Sequence, residues 1–346
     1  MKYLKSYYED IARVIPAIKD VKKLYGRKVF ITGATGLICS GVVDILHYLN
    51  VNDQAGIDII IAARSSERVA KRFSTMKDGV DYTFAMYDAT KPVSYDGEID
   101  YIIHGACNAS PASYVSEPVE IMEANFIGLN NLLKLATDKK AKRVIYLSSS
   151  EVYGQKEGME PYKEDDYGFL DVLNTRAPYP SSKRASETLL VAYAAEYGIE
   201  GVIARPGHIY GPAITDGDSK ATAQFTRDAA ARRPIVMKSA GTQLRSYTYF
   251  LDCASAILAI LTSGENLNAY NISNKDSIIT ISEIAKKIAA AVDMEIAFEN
   301  PADAEALGYN LMSNSSLDAT KLESLGWKAV FSADEGASNT VKYYQA

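Results

Sequence analysis

A short apolar run, Lys28–Thr32, ends in a glycine-punctuated turn from Gly33 to Gly36 and passes directly into a segment whose Val42, Val43, Ile45, Leu46 and Leu49 share one helical face. Strand, turn and helix in that order open a βαβ array. The alternation continues through Ile57–Ala62 (strand), Glu67–Phe73 (helix), Tyr82–Met86 and Tyr101–His104 (strands), Pro118–Leu135 (helix), Arg143–Ser148 (strand), Tyr179–Tyr197 (helix) and Gly201–Arg205 (strand). The runs IDIII, DYIIH and RVIYLSS are unbroken rather than alternating, as strands covered on both faces are. The pattern predicts an α/β fold with a doubly wound parallel sheet.

After Pro206 the rhythm weakens into Gly, Asp, Ser and Pro, with helical patterns at Ala221–Arg232 and Ile281–Ala291. The expected organisation is a helical extension over 1–26, a sheet domain over 27–205 to which 246–262 return, and a smaller lobe from 206–245 and 263–346. In the extension, Ile11, Val14, Ile15, Ile18, Val21 and Leu24 recur at helical spacing, which predicts an amphipathic docking or interface helix.

Composition narrows the function. With 37 Lys+Arg against 43 Asp+Glu the net charge is −6, which speaks against general attraction to nucleic acid or an anionic membrane. No apolar run approaches the roughly 18 residues needed to cross a bilayer, and the charged first segment lacks the pattern of a secretory signal. Three scattered cysteines, Cys39, Cys107 and Cys253, form no disulfide framework and fit a reducing cytoplasm. Three histidines, His47, His104 and His208, argue against a His-ligated metal or a Ser-His-Asp triad, so no metal is expected.

Three constellations carry chemistry. In ITGATGLICSG (31–41), Gly33 allows the tight turn and Gly36 lets the backbone approach a pyrophosphate lying on the helix N-terminus. The third small position is Cys39 where glycine is usual, a departure that close packing should tolerate. In Tyr179-Pro-Ser-Ser-Lys183 the two functional side chains lie four apart on one helical face, so the ammonium favours a phenolate competent to act as a base. Leu147-Ser-Ser-Ser-Glu151-Val-Tyr-Gly154 ends an apolar strand, where groups face the ligand crevice of a parallel sheet.

TGATGLICS, HGACNAS, ANFIGLNNLL, YLSSSEVYG, YPSSK, ARPGHIYGP and RSYTYFLD follow one another as they do in the extended short-chain dehydrogenase/reductases that modify nucleotide sugars, and the chain resembles that family from about Arg27 to Asp252. The resemblance implies a Rossmann-type sheet, a tightly bound NAD or NADP, and a nucleotide-sugar substrate oxidised transiently to a 4-keto sugar. It implies that Tyr179 takes the sugar hydroxyl proton, that Lys183 binds the nicotinamide ribose, and that Ser149 hydrogen-bonds the same hydroxyl. Glu151 matches the second base of the dehydratases and an equivalent glutamate of the decarboxylases. Ser150 stands where glucose-type 4,6-dehydratases carry an aspartic acid that protonates the departing C6 hydroxyl; serine is a poor acid.

For the cofactor, the resemblance implies contacts from Gly33, Thr35, Gly36, Leu37 and Ile38, from Ala106, from Asp88 to the adenine and from Asn125 near the nicotinamide. Ala62-Ala63-Arg64 lacks the carboxylate that usually holds the ribose 2′-hydroxyl in NAD enzymes, so Arg64 tilts the expectation slightly toward NADP. Arg245 resembles the arginine that clamps the nucleotide diphosphate, and His208 takes the place of a substrate-contacting asparagine. The favoured expectation is a UDP-glucuronate decarboxylase, then a 4,6-dehydratase, then a 4-epimerase, with a non-catalytic dinucleotide sensor as the remote rival. A homodimer through the helices at Pro118–Leu135 and Tyr179–Tyr197 is also implied.

Overall fold

The computed structural model describes residues 3–299 and 312–345. Its centre is a seven-stranded sheet with every pairing parallel. The strands β1 (Lys28–Thr32), β2 (Asp58–Ala63), β3 (Thr83–Met86), β4 (Tyr101–His104), β5 (Arg143–Leu147), β6 (Gly201–Pro206) and the segment Ala269–Ile272 lie in the order Ala269–Ile272, β6, β5, β4, β1, β2, β3. Val29, Ile31, Ile59, Ile61, Ile103 and Ile145 enter one apolar cluster, while Phe30, Ile60, Ala62, Ile102, Val144 and Tyr146 enter the other. Both faces are covered, which is why the strands read as unbroken apolar runs.

Helices α2 (Leu37–Asp53) and α8 (Phe250–Ser263) cover the first face together with α1 (Lys5–Val14). Helices α5 (Pro118–Lys139) and α6 (Pro178–Tyr197) pack against each other on the second. The intervening short helices are α3 (Ser66–Arg72), α4 (Pro111–Ser116) and, later, α7 (Ala221–Ala230).

The extension differs from one continuous helix. Pro16 cannot supply an N–H, so the α-helix stops at Val14 and two 3₁₀ turns, Ile15–Ala17 and Val21–Leu24, carry the remaining apolar positions. Helix α1 docks on its own chain. Tyr7 and Tyr3 donate from their hydroxyls to Asp44 at 2.6 and 2.9 Å, Arg72 donates to the same carboxylate at 2.8 Å, and Tyr343 donates to Asp10 at 2.7 Å.

The smaller lobe holds β7 (His208–Tyr210), β9 (Leu244–Tyr249), β11 (Ile278–Thr280) and β13 (Asn314–Ser315) in one sheet, and β8 (Ile235–Met237) paired with β12 (Ile296–Phe298) in another. Two expected boundaries need correcting. Residues 246–249 belong to β9 of the small sheet, so the return to the large sheet starts with α8; and Ala269–Ile272, expected in the lobe, is β10, the outer strand beside β6. Four residues are too few to display a period, although Tyr270 and Ile272 are buried by that pairing.

Candidate active site

The strand order reverses between β4 and β1, and the crevice at the strand C-termini opens there. Gly33 turns the chain out of β1 with φ +70°, and a Cβ at that position would lie 2.5 Å from the Gly105 carbonyl oxygen. Gly36 N–H donates back to Gly33 O at 2.9 Å, and Gly36 then caps α2 without a side-chain acceptor. The first N–H groups of α2 therefore carry no side-chain cap. Thr35, Leu37 and Ile38 are half-buried around this turn, and Ala106 N–H donates to Thr32 Oγ1 at 3.2 Å across the switch point. A cradle of bare backbone donors facing a helix N-terminus suits the pyrophosphate of a dinucleotide. Cys39 packs under Gly105, where an added Cβ would come within 2.4 Å of its Sγ, and burial pushes its thiol up to about 12. The small residue expected at this position is needed for that packing.

Beside the cradle, β5 delivers Ser149, which caps the 3₁₀ turn Ser150–Tyr153 by accepting from Glu151 N–H at 3.2 Å. Opposite it, Pro178 at the first position of α6 sets the helix start, and Tyr179 and Lys183 follow one turn apart facing β5. Lys183 Nζ donates to Leu147 O at 2.7 Å and lies 5.8 Å from the Tyr179 ring centroid. The Ser149 hydroxyl sits beside the Tyr179 phenol, where it favours the ionised form. The triad is thus brought together.

The ionisation of Tyr179 departs from expectation. Burial raises its pKa above the ordinary phenol value, and the opposing pull of Lys183 and Ser149 does not offset it. Sequence spacing sees the nearby ammonium but not the low dielectric: Tyr179 is 5% exposed and stacks on Tyr114 of α4, with ring centroids 4.5 Å apart. The proton leaves only when the phenolate gains stabilisation beyond that of Lys183 and Ser149.

Glu151 lies in a two-pronged ion pair with Arg176, whose Nη1 and Nη2 donate to its two oxygens at 2.7 and 2.8 Å. Neither Arg176 nor Tyr114 is singled out by the motifs; the arginine sits inside NTRAPYPSSK, three residues before the tyrosine, which is the one signal that marks it. Ser150 is buried in the turn. Asn125, buried in α5, donates to Ser182 Oγ at 3.0 Å and so ties α5 to α6 beside Lys183.

Of the residues expected to meet the substrate, Arg245 of β9 is 2% exposed and donates to the carbonyls of Leu244 and Met312 at 2.9 Å each. His208 of β7 meets the Tyr247 ring edge-on, and its buried Nδ1 has no hydrogen-bond partner among the described residues. Burial, then the charges of Arg245, Lys220 and Arg176, push its pKa down to about 3, so the imidazole is neutral. At the place expected for the adenine, Asp88 caps a turn by accepting from Thr90 N–H and Oγ1 at 3.1 and 2.9 Å, while Arg64 stands exposed just past β2. No group of side chains among the described residues is arranged to hold a metal, and no helix among them is long and apolar enough to cross a membrane.

Known proteins are similar to this chain in sequence and in fold. Residues 29–273 match the NAD dependent epimerase/dehydratase family. UDP-glucuronic acid decarboxylase 6 of Arabidopsis thaliana is 30% identical over 271 residues, covering 78% of this chain and 76% of the plant protein. UDP-glucuronic acid decarboxylase 1 of Xenopus tropicalis is 26% identical over 332 residues, covering 95% and 75%. Among solved structures, the epimerase Mth375 of Methanothermobacter thermautotrophicus superposes with a TM-score of 0.80 at 18% identity, over 95% of each chain. The dTDP-glucose 4,6-dehydratase DesIV of Streptomyces venezuelae, with NAD and TYD bound, gives 0.77 at 22% identity, over 92% of this chain and 96% of that one; both are likenesses of fold. With a glycine cradle, a Ser–Tyr–Lys set and a family match across most of its length, the chain belongs to the NAD-dependent epimerase/dehydratase family and is an enzyme of the extended short-chain dehydrogenase/reductase type.

Proposed function

We propose that this enzyme removes carbon dioxide from a UDP-uronic acid, with UDP-glucuronate as the favoured substrate, through a transient 4-keto sugar. The observation that carries the reading is the Ser149-Ser150-Glu151 turn. A buried serine, 4% exposed, occupies the place from which glucose-type dehydratases supply an acid to the departing C6 hydroxyl. A 4-keto uronic acid is a β-keto acid and needs no such donor. Relatives named as UDP-glucuronic acid decarboxylases, 24–30% identical, support the same reading.

A nicotinamide dinucleotide in the Gly33–Gly36 cradle would supply reversible oxidation of the sugar carbon. Tyr179 takes the O4 proton while Ser149 hydrogen-bonds that oxygen and Lys183 holds the nicotinamide ribose. With a ketone at C4, the C5–C6 bond breaks, its electron pair passes into the ketone as an enolate, and carbon dioxide leaves. C5 then takes a proton drawn from water, and Tyr179 returns its proton to O4 as the alcohol is restored. Arg245 and His208 are assigned to the diphosphate and the sugar, and Asp88, Ala106 and Asn125 to the cofactor side.

For the cofactor, the reading admits NADP beside NAD, because β2 ends in Ala62-Ala63-Arg64 with no carboxylate for the ribose 2′-hydroxyl; parallel titrations with the two dinucleotides test it. The exposed Val119, Met122 and Phe126, spaced along one face of α5, favour a homodimer through α5 and α6, which sedimentation checks. Incubation with UDP-glucuronate, dTDP-glucose, GDP-mannose and UDP-glucose, followed by mass spectrometry, separates the reactions. Loss of carbon dioxide from the first supports the proposal. Loss of water from a hexose makes the enzyme a dehydratase, conversion without change of mass an epimerase, and cofactor binding with no conversion a sensor.

A further inference from the structure

The guanidinium of Arg176 meets the Glu151 carboxylate in the parallel, two-pronged geometry that fixes direction as well as distance, at 2.7 and 2.8 Å. Their side chains are only 18% and 17% exposed, so solvent screens the pair little. The arginine is itself held. Its N–H donates to Asn174 Oδ1 at 2.9 Å, and Ala177 N–H donates to Asn174 O at 2.9 Å, a turn that leads directly into α6. On its other side the guanidinium carbon lies 5.2 Å from the centroid of Tyr114, the ring that stacks on Tyr179. Two groups on separate elements, Glu151 after β5 and Tyr179 on α6, are thereby joined through one arginine and one ring.

We propose that Arg176 is a positioning residue that sets the direction from which Glu151 meets C5 of the sugar; this rests on the 4-keto reading above. A free glutamate samples several rotamers, and the fork selects one of them. On that reading carbon dioxide leaves C5 and a proton drawn from water takes its place; the Glu151 carboxylate accepts that water's other hydrogen and so aims it at C5, and a displaced carboxylate slows this protonation while leaving the earlier oxidation at C4 intact. Misplacement by about 1 Å costs on the order of a hundredfold in rate.

The test uses Arg176→Gln, Arg176→Lys, Glu151→Gln and the double variant Glu151→Gln/Arg176→Gln in the full chain, with melting curves recorded for each. In Arg176→Gln, kcat should fall on the order of a hundredfold, KM should stay within about threefold, and quenched reactions should contain 4-keto sugar. Arg176→Lys should recover part of the rate, because an ammonium still holds one oxygen. The double variant should be no slower than Glu151→Gln alone. Wild-type kcat in Arg176→Gln, loss of rate without 4-keto sugar, or additive losses in the double variant would overturn the proposal; if Arg176→Gln does not fold, absence of 4-keto sugar in Arg176→Lys does the same. The two readings fail separately. Product that retains its carboxylate ends the decarboxylase reading yet leaves Arg176 judged by the 4-keto sugar, whereas release of carbon dioxide at the full rate in Arg176→Gln ends the positioning role alone.

Discussion

Gly33→Ala and Gly36→Ala should separate fold from cofactor binding within one turn. Gly33 has φ +70°, where a side chain costs about 1–2 kcal/mol. Its new Cβ would lie 2.5 Å from Gly105 O and 2.7 Å from Ala106 N, both backbone atoms that cannot swing aside. Overpacking of that kind adds about 1–3 kcal/mol. The sum, roughly 2–5 kcal/mol, is a large part of a total stability of about 5–15 kcal/mol. At Gly36 φ is −80°, and an added Cβ meets only Gly33 O, at 3.2 Å. That substitution should cost at most about 1 kcal/mol, chiefly as a poorer helix cap. Its methyl group, however, stands where a pyrophosphate must approach the backbone, so dinucleotide affinity should drop at least about tenfold, or about 1.4 kcal/mol. Urea unfolding of both variants and calorimetric titration with NAD and NADP read the two effects. A Gly33→Ala protein as stable as its parent, or a Gly36→Ala protein with undiminished affinity, would refute the geometry of the cradle.

Tyr179→Phe should lose on the order of 10²–10⁴ in turnover while dinucleotide titration is little changed; near-normal turnover would remove Tyr179 as the base. Asp44→Ala should cost about 3–5 kcal/mol in urea unfolding, since Arg72 and the hydroxyls of Tyr3 and Tyr7 lose their shared acceptor, and a loss near zero would show that α1 is not docked through that carboxylate. Burial pushes Asp252 up to about 7 against the weaker effect of the Val330 and Phe331 N–H groups. The folded state then holds a proton that the unfolded chain releases near 3.8, so stability should fall as pH rises between those values and level off above them. Unfolding midpoints measured across that window should flatten in Asp252→Asn, and an unchanged slope would assign the effect to other groups.

What the sequence reveals follows the range of the interactions. The cradle and the Tyr179–Lys183 pair are legible because strand-turn-helix order and a four-residue helical spacing fix them locally. The Glu151–Arg176 pair is not, because its partners lie 25 residues apart and meet only once β5 and α6 are side by side. Lys183 is visible as a charge near Tyr179, but the burial that outweighs it comes from packing with Tyr114 and Ile121, which other segments bring to it. Pro16 ends α1, but the apolar spacing runs past it to Leu24 and hides the stop, and Asp44, which anchors that helix, reads as one more residue of α2. The outer strand Ala269–Ile272 is too short to show a period and gains its identity from pairing with β6.

The most direct measurement follows a deuterium atom placed at C4 of UDP-glucuronate. If Tyr179 acts as a base during transient oxidation of that carbon, carbon dioxide is released and the deuterium is found at C4 of a UDP-pentose. Deuterium lost to solvent, or recovered on an intact uronic acid after prolonged incubation, contradicts the account.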